Sequence, residues 1–332
     1  MSMLHSKWPR LLAAASTLLA ISATAVMAQQ YPSKNITIVV PLAAGTGMDS
    51  ITRIYADELQ KAFGRPVIVE NQPGVALMLA AANVSKAEPD GHTLLVSSAP
   101  AMAVNQTLYK KINYDPAKDF VPISLYAKSP FLLIAAPSLG VNSLPEFFAR
   151  AKASGDKPMN YATSGAGTIQ HLTMELLKRH YSVPLDHVPY RNSNQIPTDL
   201  IGNHINSSIS ETGAVISLVR DNQIKALAVS SIEPNGQLAG VPTMAEATGM
   251  KDFEAVSWHA LFAPAATPTP IVERLHTEMS RIAGNADFQR RVREIGLIPV
   301  APNSRENVNK YIVSERERWG GVVKSLGLEG SM

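Results

Sequence analysis

The sequence predicts a two-lobed α/β fold, with a mostly parallel sheet flanked by helices in each lobe and two crossing strands between the lobes. Strand-like and helix-like segments alternate along the chain, as they do in open, mostly parallel sheets. Residues 29–332 are too many for a single hydrophobic core. Two apolar stretches, at residues 121–136 and 253–263, lie between strand–helix series. We interpret these stretches as the segments that cross between the lobes.

The first lobe begins with a strand–helix series whose turns contain glycine and proline. The Gly-Arg-Pro sequence at residues 64–66 ends the first helix, and Asn-Gln-Pro-Gly at residues 71–74 forms a later turn. Asp49 and Arg53 are four residues apart, a spacing that allows an ion pair on one helix face. We predict strands at residues 36–41, 67–69 and 93–97 and helices at residues 51–63 and 77–86.

A second series of the same kind follows the first crossing. Its first helix begins with Ser143, and Glu146 three residues later completes a capping-box pattern. We predict helices at residues 143–153, 169–180, 196–201 and 214–219 and strands at residues 160–162, 187–190, 205–209 and 224–229.

Three helices without a strand of their own are predicted after the second crossing, at residues 269–283, 286–295 and 304–325. We expect these helices to pack against the first sheet. The first lobe would then be discontinuous, and the second lobe would be inserted between its halves. This division assigns residues 29–127 and 258–332 to lobe 1 and residues 128–257 to lobe 2.

The N-terminus has the pattern of a secretory signal peptide. Lys7 and Arg10 precede an apolar run at residues 11–21, and small residues at 26 and 28 suit a cleavage site. We expect cleavage after Ala28 and export to the periplasm; an uncleaved membrane anchor is the alternative. The chain has no cysteine, which excludes a lipoprotein anchor, a thiolate nucleophile and a thiolate metal site.

Charge and composition say little in favour of a macromolecular partner of opposite charge. Loss of Lys7 and Arg10 with the signal peptide lowers the formal net charge from +3 to +1. No basic cluster or set of stacking aromatics indicates nucleic-acid binding. We expect a monomer without cofactor or metal.

Two strand-to-helix junctions carry loops of small residues, at residues 42–47 and 163–168. Small residues allow a backbone to approach a ligand closely, and the helix that follows offers unpaired N–H groups and a partial positive charge. Neither loop has the third glycine of a dinucleotide fingerprint, and no Gly-Lys-Ser/Thr sequence is present. The two loops therefore predict two lobes that close on one anion, although the glycines could also serve only as turns.

A series of short segments lies throughout the mature chain, at residues 31–34, 36–41, 45–49, 69–74, 87–95, 114–116, 118–120, 160–161, 163–168, 171, 187–190, 225–229, 241–243, 246–247, 258 and 263–264. In their order and spacing, these segments resemble the Bug, or tripartite tricarboxylate transporter, solute-binding receptors (TctC-like). The resemblance implies a periplasmic-binding-protein-like fold that captures a small carboxylate, either a di- or tricarboxylate or an aromatic acid. It also implies delivery of this ligand to integral-membrane permease subunits.

The resemblance and the loops together give a set of candidate ligand-binding residues. These are Leu42, Ala43, Gly45, Thr46, Gly47, Asp49, Ser164, Gly165, Gly167, Thr168, His171, Arg191, Ser210, Glu211 and Thr212. The chain departs from the family pattern in the first loop, at residues 75–79 and at residues 191–195, and we expect the last two segments to select the ligand.

Several candidates have a second interpretation. Asp49, Ser164 and Thr168 could be helix caps, and Glu211 is more readily explained as a cap of the next helix than as a ligand contact. His171 could be an ordinary packed or surface histidine, and Arg191 could be a solvated surface arginine. Residues 75–78 could be ordinary core rather than an apolar ligand wall.

Two other functions are open from the residues alone. A secreted hydrolase could use Ser164 and His171, but Gly-x-Ser-x-Gly and His-Glu-x-x-His are both absent. A ligand sensor for a membrane histidine kinase would use the same fold and pocket. We expect a binding protein and not an enzyme.

Overall fold

The computed structural model describes residues 31–232, 234, 237–251 and 253–332. The predicted signal peptide, residues 1–28, lies outside the described residues. None of the helices in the described part of the chain is long and apolar enough to span a membrane. The described chain forms two separate sheets with helices around them, which confirms the predicted two-sheet α/β fold.

The first sheet has six strands in the order β11-β4-β10-β3-β1-β2. Its strands are β1 (Ile36–Val40), β2 (Val67–Asn71), β3 (Thr93–Ser97), β4 (Phe120–Ser129), β10 (Ser257–Pro264) and β11 (Ile298–Pro299). Strand β1 pairs in parallel with β2 and β3, whereas β10 is antiparallel to both β3 and β4.

The second sheet has five strands in the order β7-β6-β8-β5-β9. Its strands are β5 (Phe131–Ala135), β6 (Met159–Thr163), β7 (Leu185–Pro189), β8 (Ser207–Glu211) and β9 (Lys225–Val229). Strand β6 pairs in parallel with β7 and β8, and β5 is antiparallel to β8 and β9. Pro130 alone separates β4 from β5, so the first crossing is a nearly continuous extended segment.

Eleven α-helices connect these strands in the described residues. They are α1 (Gly47–Phe63), α2 (Met78–Val84), α3 (Asn105–Leu108), α4 (Leu144–Ala153), α5 (Ile169–Tyr181), α6 (Ile196–Ile201), α7 (Thr212–Arg220), α8 (Met244–Thr248), α9 (Thr269–Ala283), α10 (Ala286–Glu294) and α11 (Arg305–Ser325). Single 3₁₀ turns lie at Val75–Leu77, Pro137–Leu139 and Ser193–Gln195, and a π-helical turn lies at Pro100–Val104.

Two predicted details need correction. The sheets are mixed rather than mostly parallel. In the first sheet, β4 carries the chain out to the second lobe and β10 brings it back, so these two strands run in opposite directions. The C-terminal region also has a strand of its own, the two-residue β11, which pairs with the edge of β4. Two residues are too few to give a periodic signal in the sequence.

The hydrophobic core is continuous from one sheet to the other. One cluster contains the Leu95 and Trp258 side chains of the first sheet together with Phe131, Tyr161 and Ile209 of the second. Two further clusters lie within the first and the second lobe respectively. The helices α1 and α5 follow β1 and β6 after the two loops, and α7 follows β8 directly. All three helices begin beyond the carboxyl ends of strands with a parallel neighbour, where ligands bind in open α/β sheets.

Candidate functional site

The first loop lies between β1 and α1 and is held by a buried carboxylate. Oδ2 of Asp49 accepts hydrogen bonds from the N–H of Gly45 at 2.9 Å and from Nε of Arg53 at 3.0 Å. Oδ1 of Asp49 accepts from Nη2 of Arg53 and from Nδ2 of Asn71, each at 2.9 Å. The same Asn71 amide donates to the carbonyl oxygen of Leu42 at 2.9 Å. Asp49 thus fixes the loop conformation, and its predicted ion pair with Arg53 is present.

The electrostatics of Asp49 agree with this role. Burial alone would raise the pKa of its carboxyl group, since Asp49 is only 2% exposed, but hydrogen bonds from Arg53, Gly45 and Asn71 outweigh burial and lower the pKa. The cap of α1 is Thr46, whose hydroxyl accepts from the N–H of Asp49 at 3.4 Å. With Asp49 bonded to four donor groups, a ligand ammonium would have to displace one of them.

The second loop, between β6 and α5, is built in the same way from different residues. The hydroxyl of Thr168 caps α5 by accepting from the N–H of His171 at 3.3 Å, and it donates to the carbonyl oxygen of Gly165 at 2.8 Å. The N–H of Gly167 donates to Nδ1 of His171 at 3.1 Å. The hydroxyl of Ser164 donates to Oε1 of Gln170 at 3.1 Å. Each loop is therefore supported by a side chain four residues after its glycine, Asp49 in one and His171 in the other.

A stack of aromatic rings supports the second loop from below. The rings of His171 and His187 lie 4.2 Å apart and nearly parallel, and Tyr161 stacks on the other side of His187 at 4.9 Å. Nε2 of His187 lies 2.7 Å from the hydroxyl of Thr163. Burial lowers the pKa of both histidines, to about 4 for His187, where the nearby His171 adds to the effect. Both rings are neutral at pH 7, which lets Nδ1 of His171 accept the Gly167 hydrogen bond.

This geometry does not assemble a hydrolytic pair. The hydroxyl of Ser164 bonds to Gln170, and the Nδ1 atom of His171 is already bonded to the Gly167 amide. A nucleophile and its base must lie within hydrogen-bonding distance of each other. Among the described residues, no group of three or more His, Asp or Glu side chains could hold a metal ion.

The third part of the candidate site is the direct junction between β8 and α7. The hydroxyls of Ser210 and Ser208 lie 2.9 Å apart, and the hydroxyl of Thr212 donates to the carbonyl oxygen of Pro130 at 2.9 Å. Glu211 occupies the N-cap position of α7, yet its side chain makes no capping hydrogen bond, so the predicted cap role of Glu211 is wrong. Burial raises the pKa of the Glu211 carboxyl group to about 7.

The two lobes meet at this site in three places, each at a glycine. A Cβ atom placed on Gly47 would lie 2.9 Å from Oε2 of Glu211, across the cleft. One placed on Gly167 would lie 2.2 Å from Cδ2 of Leu108, and one on Gly213 would lie 2.3 Å from the carbonyl oxygen of Ile295. The described structure is therefore closed, with the starts of α1 and α7 facing each other.

Three helix N-termini supply the unpaired donors of the site. The first N–H groups of a helix have no partner within the helix. In α1 and α5 the capping threonine takes the third of these groups, which leaves those of the first two residues for a ligand or water. In α7 the Glu211 side chain caps none of them, and the N–H of Thr212 donates to the carbonyl oxygen of Pro130 at 3.0 Å. The combined dipoles favour an anion between the lobes.

The two segments that depart from the family pattern, residues 75–79 and 191–195, differ in burial. Leu77 is buried in the core and Met78 packs against it, as the core interpretation requires, whereas Val75 is 73% exposed. Ala76 and Leu77 both have positive φ, 48° and 65°, a strained conformation that glycine would relieve. Arg191 is exposed and makes no hydrogen bond with another described residue.

Several supporting residues were not predicted from the sequence. Asn71, Gln170 and His187 bond to the loops or stack beneath them, and the backbones of Gly213 and Gly296 lie against each other between the lobes. The position of Asn71 at the carboxyl end of β2, next to β1, was an available signal because parallel strands end at the same edge. No local signal marks Gly213 or Gly296.

The chain is similar to a known family of receptors. Residues 51–328 match the family model described as the tripartite tricarboxylate transporter family receptor, TctC. The chain is 31% identical to protein BugT of Bordetella pertussis, over 96% of this chain and 98% of that protein.

Two solved structures are also similar. A protein of R. palustris with adipate has a TM-score of 0.83 and 31% identity, covering 90% of this chain and 98% of that chain. MatC from Rhodopseudomonas palustris with bound malate has a TM-score of 0.80 and 30% identity, covering 88% and 100%.

Proposed function

Because the chain belongs to the tripartite tricarboxylate transporter receptor family, we propose that it is a periplasmic receptor that captures a small carboxylate between its two lobes. Members of this family are receptors and not enzymes. The proposal extends to delivery of the ligand to the integral-membrane permease subunits of a tripartite transporter. It also extends to the site, which comprises the two loops and the start of α7.

The observation that best supports this proposal is that the N-terminus of α1 faces that of α7 across the cleft. Gly47 and Glu211 are in contact there, and α5 begins at the same edge of the second sheet as α7. A carboxylate between these helices would accept hydrogen bonds from backbone N–H groups of both lobes. It would thereby favour the closed arrangement, with bending at residues 124–130 and 255–260.

A thermal-shift panel tests carboxylate capture. Residues 29–332 are purified and heated with mono-, di- and tricarboxylates, aromatic acids and amino acids. A ligand at 100 times its dissociation constant adds about 2.7 kcal/mol of stability. A rise in melting temperature with one carboxylate and none with its neutral amide supports the proposal, whereas no rise with any carboxylate contradicts it.

Delivery requires a separate test in cells. Uptake of the stabilising compound, labelled with ¹⁴C, is measured in a strain that lacks the receptor gene and in the same strain complemented with it. Uptake that depends on the receptor and on the permease genes supports delivery. Normal uptake without the receptor, together with a lost transcriptional response to the compound, favours the sensor function instead.

A further inference from the structure

Glu211 is an acidic side chain at the junction of β8 and α7, and no described residue forms a hydrogen bond or an ion pair with its carboxylate. It ends β8 in the second lobe, and its Oε2 atom points across to Gly47 at the start of α1 in the first. A Cβ atom at position 47 would lie 2.9 Å from this oxygen, so the Glu211 side chain would have to shift to admit one. The contact exists only when the lobes are together, so Glu211 belongs to the closed, ligand-binding arrangement.

The carboxylate of Glu211 is unpaired among the residues that the structure describes. It makes no hydrogen bond and no ion pair there, and it does not cap its own helix. The guanidinium of Arg53 on α1 is already bonded to Asp49 and Asn71. A partly buried carboxylate without a partner is unfavourable, so a group that binds in the cleft and donates to Glu211 would be stabilised.

A ligand with only carboxylate groups does not meet this requirement when Glu211 is ionised. The starts of α1, α5 and α7 attract a ligand carboxylate into the same cleft, which would place one negative group beside another. A metal ion is also a poor partner, because the described residues offer no cluster of three acidic or histidine side chains. A cationic nitrogen close to the ligand carboxylate satisfies both Glu211 and the helix N-termini.

We propose that the ligand carries a protonated amino group beside its carboxylate, and that Glu211 binds this amino group across from Gly47. The inference rests on the proposed function, since it names the chemical class of the carboxylate. Backbone N–H groups of the loops would bind the carboxylate, and Oε1 or Oε2 of Glu211 would accept hydrogen bonds from the ammonium group. Glu211 would then be the residue that distinguishes amino acids from plain organic acids.

Matched pairs of compounds test the inference by titration calorimetry. The pairs differ only in the amino group: aspartate and succinate, 2-aminoadipate and adipate, phenylalanine and 3-phenylpropionate. We expect the amino member of at least one pair to bind wild-type protein at least tenfold more tightly than its partner. Glu211→Gln should weaken the amino compound by roughly 10- to 100-fold and leave the plain acid unchanged or stronger.

A surface variant serves as the control. Glu317→Gln removes the same charge from an exposed position on α11 and should bind both compounds as wild type does. The melting temperature of unliganded Glu211→Gln should match or exceed that of wild type, because no partner is lost.

The possible failures can be told apart. If a plain acid binds as tightly as its amino partner, or if Glu211→Gln weakens both equally, the inference is overturned and the carboxylate receptor stands. If neither member of any pair binds, the inference and the proposed function both fail. Retained or improved binding of the amino compound by Glu211→Gln would mean that a neutral Glu211 donates to the ligand, and it would also overturn the inference.

Discussion

Replacement of Gly213 by alanine tests whether the closed arrangement is needed for binding. Gly213 is the second residue of α7, and it meets the backbone of Ile295 and Gly296 in the other lobe. The added methyl group would lie 2.3 Å from the carbonyl oxygen of Ile295 and 3.3 Å from its carbonyl carbon. Both of these are backbone atoms, so no side-chain rotation can relieve the clash.

The size of the effect follows from this geometry. A normal contact between a methyl carbon and an oxygen is about 1 Å longer than the distance at Gly213, and overpacking of this kind costs roughly 1–3 kcal/mol. The cost applies only to the closed form, so the dissociation constant should rise roughly 5- to 150-fold. With the lobes apart, the free energy of unfolding should rise by about 0.4–1 kcal/mol, because alanine reduces the conformational entropy of the unfolded chain.

The assay combines calorimetry with chemical unfolding. Gly213→Ala and Gly321→Ala are compared with wild type, using the carboxylate that gives the largest thermal shift. Gly321 is also helical, in α11, and a Cβ there would meet nothing within 4 Å, so it controls for the change of residue type. Wild-type affinity in Gly213→Ala, with unchanged unfolding, would refute the claim that binding requires this contact between the lobes.

Three further predictions follow from the site. Asp49→Asn should lower the unfolding free energy, measured in urea at pH 7, by about 1–3 kcal/mol. This difference from wild type should shrink as the pH falls below 3.8, because Asp49 of the unfolded chain then takes up a proton. Burial lowers the pKa of His259 from 6.5 to about 4. As the pH falls from 6.5 to 4, the unfolded chain therefore takes up a proton at His259 before the folded protein does, and the unfolding free energy should fall by up to about 3 kcal/mol. His259→Leu should remove that part of the pH dependence, and an unchanged profile would contradict the assignment. Gly167→Val should weaken ligand binding at least about tenfold. Gly155 also has a positive φ, but a Cβ there would meet nothing within 4 Å, so Gly155→Val should lose only stability. Equal affinities of these two variants would contradict contact at the second loop.

The parts of the fold that follow from local patterns could be predicted from the sequence. The alternation of strands and helices, the two crossings and the helix caps of the two loops depend on residues close together in the chain. The start of α1 at Gly47 and that of α5 at Ile169 follow from a threonine cap next to glycine. The mixed pairing of the sheets was missed because strand direction depends on how the chain returns from the second lobe.

The site itself was predictable only in part. Its loops carry a local signal, but the roles of their side chains depend on contacts between distant segments. The residues next to Glu211 in the sequence predict that it caps a helix. Only the fold shows that its side chain makes no cap and lies opposite Gly47 in the other lobe. The contact of Gly213 with Gly296 likewise has no local signal, because any glycine could occupy either position.

The most direct test of carboxylate capture is a crystal structure of residues 29–332 with the carboxylate that gives the largest thermal shift. The proposal predicts the ligand carboxylate at about 3 Å from backbone nitrogens at the start of α1 in one lobe and of α5 or α7 in the other. It also predicts that both lobes bury the ligand. A carboxylate bound outside the cleft, or held by one lobe with the other turned away, would contradict it.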